Sequence, residues 1–452
     1  MATPAESPDD AIAMLKLGTM AHRDSHGRLS LYDPLANART TLAGETAGAA
    51  DGAAVSADLA GDVGRETTAT AAGDTVFAAD VPPSFDDPRR RTPAWNIELT
   101  DSCTLSCRHC YQRPVKREAW QSAPAAGTAA WRPVVDGVLA AEPSEISLTG
   151  GEVMLFPELA EVLARIRAAR PAMPIRLLLS GMSLWRRRGF RELLPSLAYN
   201  RVLVKLPIYS GRPAEHDWVT RSPGSLADVL RLIEELRQAG VAVLVSYLML
   251  QRTCGQIAAT CDFLEKLVGR DFVISTVVYP RRRPDRGGRA ASLLPDVAVV
   301  RSLLQTTRFA AIASDYLSFQ PQCRSGCRFP AVAMAGQAYG CTVCGASDCG
   351  NVRDDRAALG RAAAWLPPST AVDASLPCGG CSARAVCKRC LCFFGPELPD
   401  AAYCQLVRAC AEVVARRIGA AMAEGMRFVH EDAQRRWLSW REFAATGQAA
   451  AT

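Results

Sequence analysis

Between about residues 92 and 280, apolar segments of strand length alternate with longer segments of helical periodicity. The strand candidates are 95–100, Glu145–Thr149, Pro174–Ser180, Val202–Leu206, Val241–Leu248 and Phe272–Val278. Between them lie helical patterns such as Leu226–Gln238, where apolar residues recur every three or four positions and Gly240 follows the end. Six such βα repeats predict an α/β fold with a parallel sheet curved into a partial (β/α)6 TIM-like barrel.

The segments on either side of this pattern differ from it. Residues 1–90 form an N-terminal extension rich in Ala, Gly, Thr and Asp, in which Arg28–Leu42 has the alternation and turn residues of a hairpin. Residues 43–75 contain few large apolar side chains and have the pattern of a weak helix or linker. Residues 301–404 are cysteine-rich, and residues 405–452 are predicted to form an amphipathic helical tail.

Composition limits the class of protein. The chain has 452 residues, 49% of them hydrophobic and 22% charged, which is typical of a globular protein with a large core. The net charge of +6 is mild, and no stripe of interleaved aromatic and basic residues predicts nucleic-acid binding. We find no apolar run of membrane-spanning length and no signal-peptide pattern, so we expect a cytoplasmic protein with no membrane partner. There, 17 cysteines are more plausible as metal ligands than as disulfides.

Three cysteines lie within eight residues directly after the first predicted barrel strand, at Cys103, Cys107 and Cys110. A four-iron cluster normally takes four thiolates, so three close cysteines indicate a cluster with one iron open to a ligand. A structural zinc ion prefers a closed set of four ligands, and zinc or unligated thiols are the alternatives that spacing alone leaves open. In an α/β barrel this loop lies at the carboxyl ends of the strands, where ligands bind.

Two further segments follow at strand ends. The second strand runs into Gly150-Gly151-Glu152, and the fourth is followed by Ile208-Tyr209-Ser210 and, further on, His216-Asp217. With the three cysteines, these segments resemble the radical S-adenosylmethionine (SAM) superfamily. The resemblance implies that the cysteines bind a [4Fe-4S] cluster and that the glycine turn receives the methionyl amine of SAM, because glycines permit close approach and a carboxylate attracts an ammonium. The SAM-binding residues that it implies are His109, Tyr111, Gly150, Gly151, Glu152, Ser180 and Arg221.

The chain departs from the family pattern at three positions. Pro207 stands where a serine is common, Val153 replaces the usual proline, and Arg221 is one place away from the family arginine. His216 and Asp217 have a simpler interpretation as a helix-start pair, and Ser180 as the end of a strand. Cys254 and Cys261 lie on a helical pattern and are expected to be buried small residues rather than ligands.

The region from Cys323 to Cys410 contains 12 of the 17 cysteines. Its spacing resembles the SPASM domain that follows the radical SAM core (here 91–300) in peptide-modifying members. The resemblance implies two auxiliary [4Fe-4S] clusters, one on Cys323, Cys327, Cys341 and Cys390 (or Cys392), the other on Cys378, Cys381, Cys387 and Cys404. A role limited to stabilising a loop-rich segment is the alternative for both. Cys344, Cys349 and Cys410 are additional.

The resemblance also implies an activity. Reductive cleavage of SAM would give a 5′-deoxyadenosyl radical that abstracts hydrogen from a ribosomally made precursor peptide, which leads to a carbon–carbon or thioether cross-link or another oxidative change. The chain would then be an oxidoreductase-type peptide maturase that takes electrons from flavodoxin or ferredoxin, with residues 1–90 as a leader-binding wing or a loosely ordered extension. The alternatives are formylglycine formation on a sulfatase and a non-catalytic iron–sulfur scaffold that binds peptide or transfers electrons. The basic run Arg281–Arg286 fits an acidic leader or a solvated face.

Overall fold

The computed structural model describes most of the barrel and parts of the flanking regions. The described residues are 20–23, 29–42, 94–110, 131–181, 189–276, 293–317, 330–342, 348–364, 381, 383, 387, 394–395, 398–399 and 401–428. The expected linker 43–75, the basic run 281–286 and the predicted site residues Tyr111, Cys323, Cys327, Cys378, Cys390 and Cys392 lie outside them.

The strands form three sheets. The strands are β1 (Met20–Arg23), β2 (Leu29–Asp33), β3 (Ala38–Leu42), β4 (Ala94–Thr100), β5 (Glu145–Gly150), β6 (Ile175–Leu178), β7 (Val202–Ile208), β8 (Ala242–Leu248), β9 (Phe272–Ser275), β10 (Ala331–Ala333), β11 (Gln337–Tyr339), β12 (Asp348–Asn351), β13 (Phe394–Gly395), β14 (Leu398–Pro399) and β15 (Arg427–Phe428). The main sheet has the order β12-β11-β10-β4-β5-β6-β7-β8-β9. Strands β4 to β9 are parallel neighbours in chain order, so the prediction of six βα repeats is confirmed.

Helices of the described residues connect and flank these strands. They are α1 (Arg132–Ala140), α2 (Leu159–Ala169), α3 (Phe190–Tyr199), α4 (Pro213–Thr220), α5 (Ser225–Gln238), α6 (Ile257–Val268), α7 (Val297–Leu303), α8 (Ala313–Tyr316), α9 (Ala357–Ala364) and α10 (Ala401–Ala423), with 3-10 turns at Val153–Leu155, Cys254–Gln256 and Thr307–Ile312. No helix in the described ranges is both long enough and apolar enough to span a bilayer.

Alternation along the strands separates two faces of the barrel sheet. In β7 the residues Val202, Val204, Leu206 and Ile208 are buried, while those between them are half-buried. The side chain of Leu206 lies near Val229 and Leu232 of α5, beside Gly181. The fully buried set therefore packs against the helices, and the alternate set faces the interior of the barrel, as period-two strands require.

The interior face contains buried charge. Arg176 of β6 forms an ion pair of 3.1 Å with Glu145 of β5, and both side chains are almost fully buried. Burial and the neighbouring Arg176 lower the pKa of Lys205 to about 8, although Glu145 acts in the opposite direction. Removing one partner would leave a buried charge uncompensated, so this group constrains how β5, β6 and β7 stack.

The main sheet continues across the predicted boundary at residue 301. Strand β10 pairs in parallel with β4, and a hairpin adds β11 and β12. The Asn96 N–H donates to Pro330 O at 2.9 Å, and the Met334 N–H donates to Glu98 O at 3.0 Å. The start of the cysteine-rich region is therefore joined by backbone hydrogen bonds to the strand that precedes Cys103.

Residues 20–42 and 427–428 contribute the strands of a second sheet of order β15-β1-β2-β3. The predicted hairpin within Arg28–Leu42 is confirmed as β2 and β3. Helix α10 begins at Ala401, ahead of the predicted boundary at 405, and the tail then forms β15, which sequence periodicity did not indicate. Two residues are too few to show alternation, and β15 exists because β1 supplies its hydrogen-bonding partner.

We expect Arg417 to stabilise the contact between α10 and the N-terminal hairpin of β2 and β3. Its guanidinium donates to Pro34 O at 3.2 Å and Leu35 O at 3.3 Å, and also to Leu304 O after α7. Arg417→Ala should lower the free energy of unfolding by about 2 kcal/mol, because a charged donor to several carbonyls is lost. Urea denaturation measures this change, and limited proteolysis should cut the hairpin faster in the variant.

The neighbouring Arg416 is exposed and provides the matched control. Arg416→Ala should change stability by less than about 0.5 kcal/mol. Equal effects of the two substitutions would show that Arg417 acts only through the charge of the helix.

Candidate active site

The loop Cys103–Cys110 leaves the carboxyl end of β4 with a defined shape. The Leu105 N–H donates to Cys103 Sγ at 3.4 Å, and the Cys110 N–H donates to Cys107 O at 3.2 Å, which closes a turn. Cys103 is buried, and Cys107 and Cys110 are half-buried. None of the three forms a disulfide with a described residue, and their thiols are near enough to influence one another electrostatically.

The three thiols interact with one another electrostatically. Burial raises the pKa of Cys103 to about 12, with further contributions from Glu152 and Cys110. Burial also raises the pKa of Cys107, and the neighbouring Cys110 and Cys103 add to it. Grouped, desolvated thiols of this kind can ionise together only if a cation accompanies them, which fits a bound iron–sulfur cluster.

Within the described ranges, no three His, Cys, Asp or Glu side chains converge closely enough to hold one metal ion. A zinc ion needs every thiolate at about 2.3 Å from the same point, whereas an iron–sulfur cubane receives its thiolates at separate corners.

The Gly150-Gly151 turn at the end of β5 packs directly on the backbone before Cys103. The Gly151 N–H donates to Thr100 O at 2.6 Å, and the Glu152 N–H donates to Ser102 O at 2.7 Å. A Cβ atom on Gly150 would overlap Thr100 O, and one on Gly151 would overlap Ser102 O. Gly150 also has a φ of 138°, which side chains rarely permit. This backbone contact by itself therefore requires glycine at both positions.

The carboxylate of Glu152 is directed into the protein. It is fully buried and accepts from the Ser180 N–H at 2.8 Å, from the Ser180 hydroxyl and from the Met154 N–H at 3.2 Å. Burial raises the pKa of Glu152, against the lowering effect of these donors. The sequence predicts that Glu152 and Ser180 both contact SAM, and the structure places them in contact with each other, where they join the ends of β5 and β6.

The ring of His109, within the cysteine loop, lies in a group with the rings of Tyr209 and His216. Tyr209, which follows β7, has its hydroxyl 3.2 Å from His109 Nε2, and the two ring centroids are 4.9 Å apart. The ring of His216 from α4 meets Tyr209 edge-on at 5.2 Å. Burial lowers the pKa of both His109 and His216 to about 4, so both imidazoles are neutral at pH 7. Burial and the nearby thiols of Cys107, Cys110 and Cys103 raise the pKa of Tyr209.

Helix α4 also holds the other side of the loop through Arg108. The Arg108 backbone N–H donates to Val219 O, and its Nε–H donates to Trp218 O, each at 2.9 Å. The guanidinium carbon lies 4.2 Å from the centre of the Trp218 ring, and that of Arg252 lies 4.8 Å from the same centre. The carbonyl groups at the end of α4 therefore accept hydrogen bonds from the segment that contains the cysteines.

Two further residues of this segment are Asp217, which binds protein groups, and Arg221, which is exposed. The Asp217 carboxylate accepts from the Gly224 N–H at 2.6 Å, the Ser225 hydroxyl at 2.8 Å and the Leu226 N–H at 3.1 Å, so it caps α5. Arg221 is exposed, with a φ of 59°, just after α4. The sequence predicts that Arg221 meets the SAM carboxylate, and none of the contacts found among the described residues joins it to the cysteine loop.

The described cysteines of the C-terminal region lie in several elements. Cys341 follows β11 and is buried, Cys387 is buried beside Leu317, Cys381 is half-buried, and Cys404 lies in the first turn of α10. Cys254 and Cys261 are buried, as expected for small apolar residues.

Sequence reasoning gave no role to Arg108, Trp218 or Tyr209. Tyr209 had a detectable signal, because it is a polar-tipped residue at the carboxyl end of a barrel strand. Arg108 and Trp218 had none, since their contact joins segments about a hundred positions apart.

The sequence of this chain is similar to those of known proteins. The model of the Radical SAM superfamily matches residues 97–264. The GTP 3',8-cyclase of Paenarthrobacter nicotinovorans is 26% identical over 219 residues, which cover 48% of this chain and 59% of that protein. This chain thus spans less than two thirds of the length of that curated relative.

Two solved structures are similar to this chain. Native anSMEcpe with bound AdoMet is similar with a TM-score of 0.52 at 16% identity, over 73% of this chain and 99% of that one. Streptococcus suis SuiB bound to S-adenosylmethionine is also similar, with a TM-score of 0.48 at 12% identity, over 69% of this chain and 77% of that one.

Glu152→Gln tests whether the Glu152 carboxylate has a structural role. An amide would place an NH2 group against one of the N–H or O–H donors, so the free energy of unfolding should fall by about 2 kcal/mol even without cofactors. Urea denaturation of the apoprotein measures it. The exposed Glu161 of α2 is the control, and Glu161→Gln should cost less than about 0.5 kcal/mol. If Glu152→Gln matches the wild type in stability but loses SAM affinity, the carboxylate acts on the ligand instead.

Proposed function

We propose that this chain is a SAM-cleaving enzyme that modifies a ribosomally made precursor peptide, because residues 97–264 match the model of the Radical SAM superfamily. The observation that supports the first half most directly is the contact between the cysteine loop and the glycine turn. Backbone hydrogen bonds of 2.6 and 2.7 Å join Gly151 to Thr100 and Glu152 to Ser102, immediately ahead of Cys103.

The residues of the barrel mouth fit an iron–sulfur cluster and SAM. Cys103, Cys107 and Cys110 would hold the cluster, and the backbone at Gly150 and Gly151 would receive the methionyl amine. When bound, the cluster supplies the electron that cleaves SAM to methionine and a 5′-deoxyadenosyl radical, which removes a hydrogen atom from the substrate.

The residues of this chain would orient the cofactors and exclude water from the site. The glycine turn positions the backbone before Cys103, and the Glu152–Ser180 hydrogen bonds fix the adjoining strand ends. The buried rings of Tyr209 and His216 cover the loop on one side. Excluding water and stray hydrogen donors matters here, because a carbon radical reacts with whatever it reaches first.

The proposal of a peptide substrate rests on the cysteine-rich region. The spacing of its cysteines resembles that of SPASM domains, which accompany peptide-modifying members of the superfamily. In support, β10 is hydrogen-bonded along β4, so this region adjoins the strand that leads to Cys103. We propose that two auxiliary clusters in this region accept an electron from the substrate radical or bind part of the peptide. Flavodoxin or ferredoxin would supply the reducing electron.

Cys107→Ala tests the assignment of ligands. After anaerobic reconstitution, the variant should form no 5′-deoxyadenosine from SAM and dithionite, yet should retain about eight of twelve irons if both auxiliary clusters are cubanes. Iron analysis and chromatography of the nucleoside products measure the two quantities. Cys261→Ala is the control, because Cys261 is a buried cysteine of α6 that belongs to none of the proposed ligand sets, and the variant should keep both properties.

Substrate class is tested separately with the wild-type enzyme. A short peptide encoded beside the gene should lose mass in steps of two hydrogens, as recorded by mass spectrometry. A sulfatase peptide that gains formylglycine, or GTP that is consumed, would replace the peptide proposal while leaving the SAM chemistry intact. An absence of 5′-deoxyadenosine with every substrate would overturn the enzymatic proposal and favour a non-catalytic scaffold.

A further inference from the structure

The interior face of the barrel contains a lysine, Lys205, that lacks a partner among the described residues. It lies on the half-buried face of β7, and within those residues its ammonium group forms no hydrogen bond and no ion pair. Arg176 and Glu145 face the same interior, but they pair with each other at 3.1 Å. Glu98 of β4 lies three strands away, which is about 14 Å along a sheet. The charge of Lys205 is therefore not neutralised by a neighbouring carboxylate of its own.

The walls on both sides of Lys205 are apolar. Its Cα pairs with that of Leu178 on β6 and with that of Leu244 on β8, and both leucines are half-buried. Ser147 of β5 has a buried hydroxyl with no hydrogen-bond partner among the described residues. Apolar walls with a few oriented polar groups are typical of ligand pockets. One ammonium group and one hydroxyl donor match a carboxylate, whereas a triphosphate would need several cations.

The position of Lys205 destabilises the fold. Burial and the neighbouring Arg176 lower the pKa of Lys205 to about 8, and Glu145 acts in the opposite direction. The folded state thus holds this proton less tightly than the unfolded chain, in which the pKa is 10.5. The loss of stability is complete below about pH 8 and disappears above 10.5. A buried charge that weakens the fold is expected to serve a ligand instead.

We propose that Lys205 is a substrate-binding residue whose ammonium group binds a carboxylate of the peptide, from an acidic side chain or from the C-terminus, inside the barrel. This inference rests on the proposed function, because it takes a peptide as the substrate. Lys205 precedes Ile208, the last residue of β7, by three positions, so its Cα lies about 10 Å from the strand end beside the cysteine loop. A peptide carboxylate bound there would hold a neighbouring carbon near the barrel mouth, where the radical would form.

The first experiment compares urea denaturation of the full-length, reconstituted proteins from pH 7 to about 9.5. Lys205→Met removes the buried charge, so it should unfold at a higher urea concentration than the wild type at pH 7, and the difference should shrink as the pH rises above 8. Lys266→Met removes an exposed lysine of α6 and should show no such difference. A Lys205→Met protein that is less stable than the wild type at pH 7 would overturn the proposal, because Lys205 would then be a structural partner of Glu145.

The second experiment uses the short peptide encoded beside the gene, with each of its carboxylates replaced in turn by an amide. One replacement should lower kcat/KM of the wild-type enzyme roughly 10- to 100-fold, because a hydrogen bond to a charged group in a site of low polarity is lost. Lys205→Met should lower kcat/KM for the unaltered peptide by a similar factor and should no longer distinguish it from that amide peptide. Lys266→Met should behave as the wild type does. The sensitive position identifies the carboxylate as a side chain or as the C-terminus.

The outcomes separate this inference from the proposed function. Wild-type turnover that no amide replacement slows would overturn the carboxylate site. A Lys205→Met enzyme that still prefers the acidic peptide by the wild-type factor would overturn it as well, because the two groups would then act independently. A wild-type enzyme that modifies no peptide would instead contradict the proposed function, and the urea comparison would still decide whether the charge of Lys205 stabilises the fold.

Discussion

The site depends on one backbone contact, in which the turn after β5 lies against the segment that leads into Cys103. Two short hydrogen bonds make this contact, and two glycines permit it, because a Cβ atom at either position would overlap a carbonyl oxygen. The three cysteines gain a fixed starting point from it. The turn therefore contributes to the site even before its backbone meets any ligand.

Several side chains that could bind a ligand form hydrogen bonds within the protein instead. Glu152 and Ser180 satisfy each other, and Asp217 caps α5. Removing such contacts would cost stability and function together, because a buried acceptor or helix end would lose its partner. The groups that we propose for the cofactors are therefore the thiols of the cysteine loop and the backbone of the glycine turn.

Helix α4 packs against the cysteine loop and helps to fix its position. Its carbonyl end accepts from Arg108, its Trp218 ring lies between two guanidinium groups, and its His216 packs on Tyr209. The loop is thus held on both flanks by an element that belongs to the barrel. On the opposite side of β4, hydrogen bonds to β10 bring the strand Ala331–Ala333 of the cysteine-rich region into the same sheet as the strand that leads to Cys103.

The sequence by itself determined the six βα repeats, the N-terminal hairpin and the position of the cysteine loop at a strand end, because periodicity and turn residues act over a few neighbouring positions. Only the tertiary structure decided that Glu152 faces Ser180, that Arg221 lies in solvent, that Tyr209 holds His109 and that β15 pairs with β1. These contacts join residues 28 to about 400 positions apart. They depend on strand order and on the path of each loop, and local patterns of hydrophobic and polar residues contain no information about either.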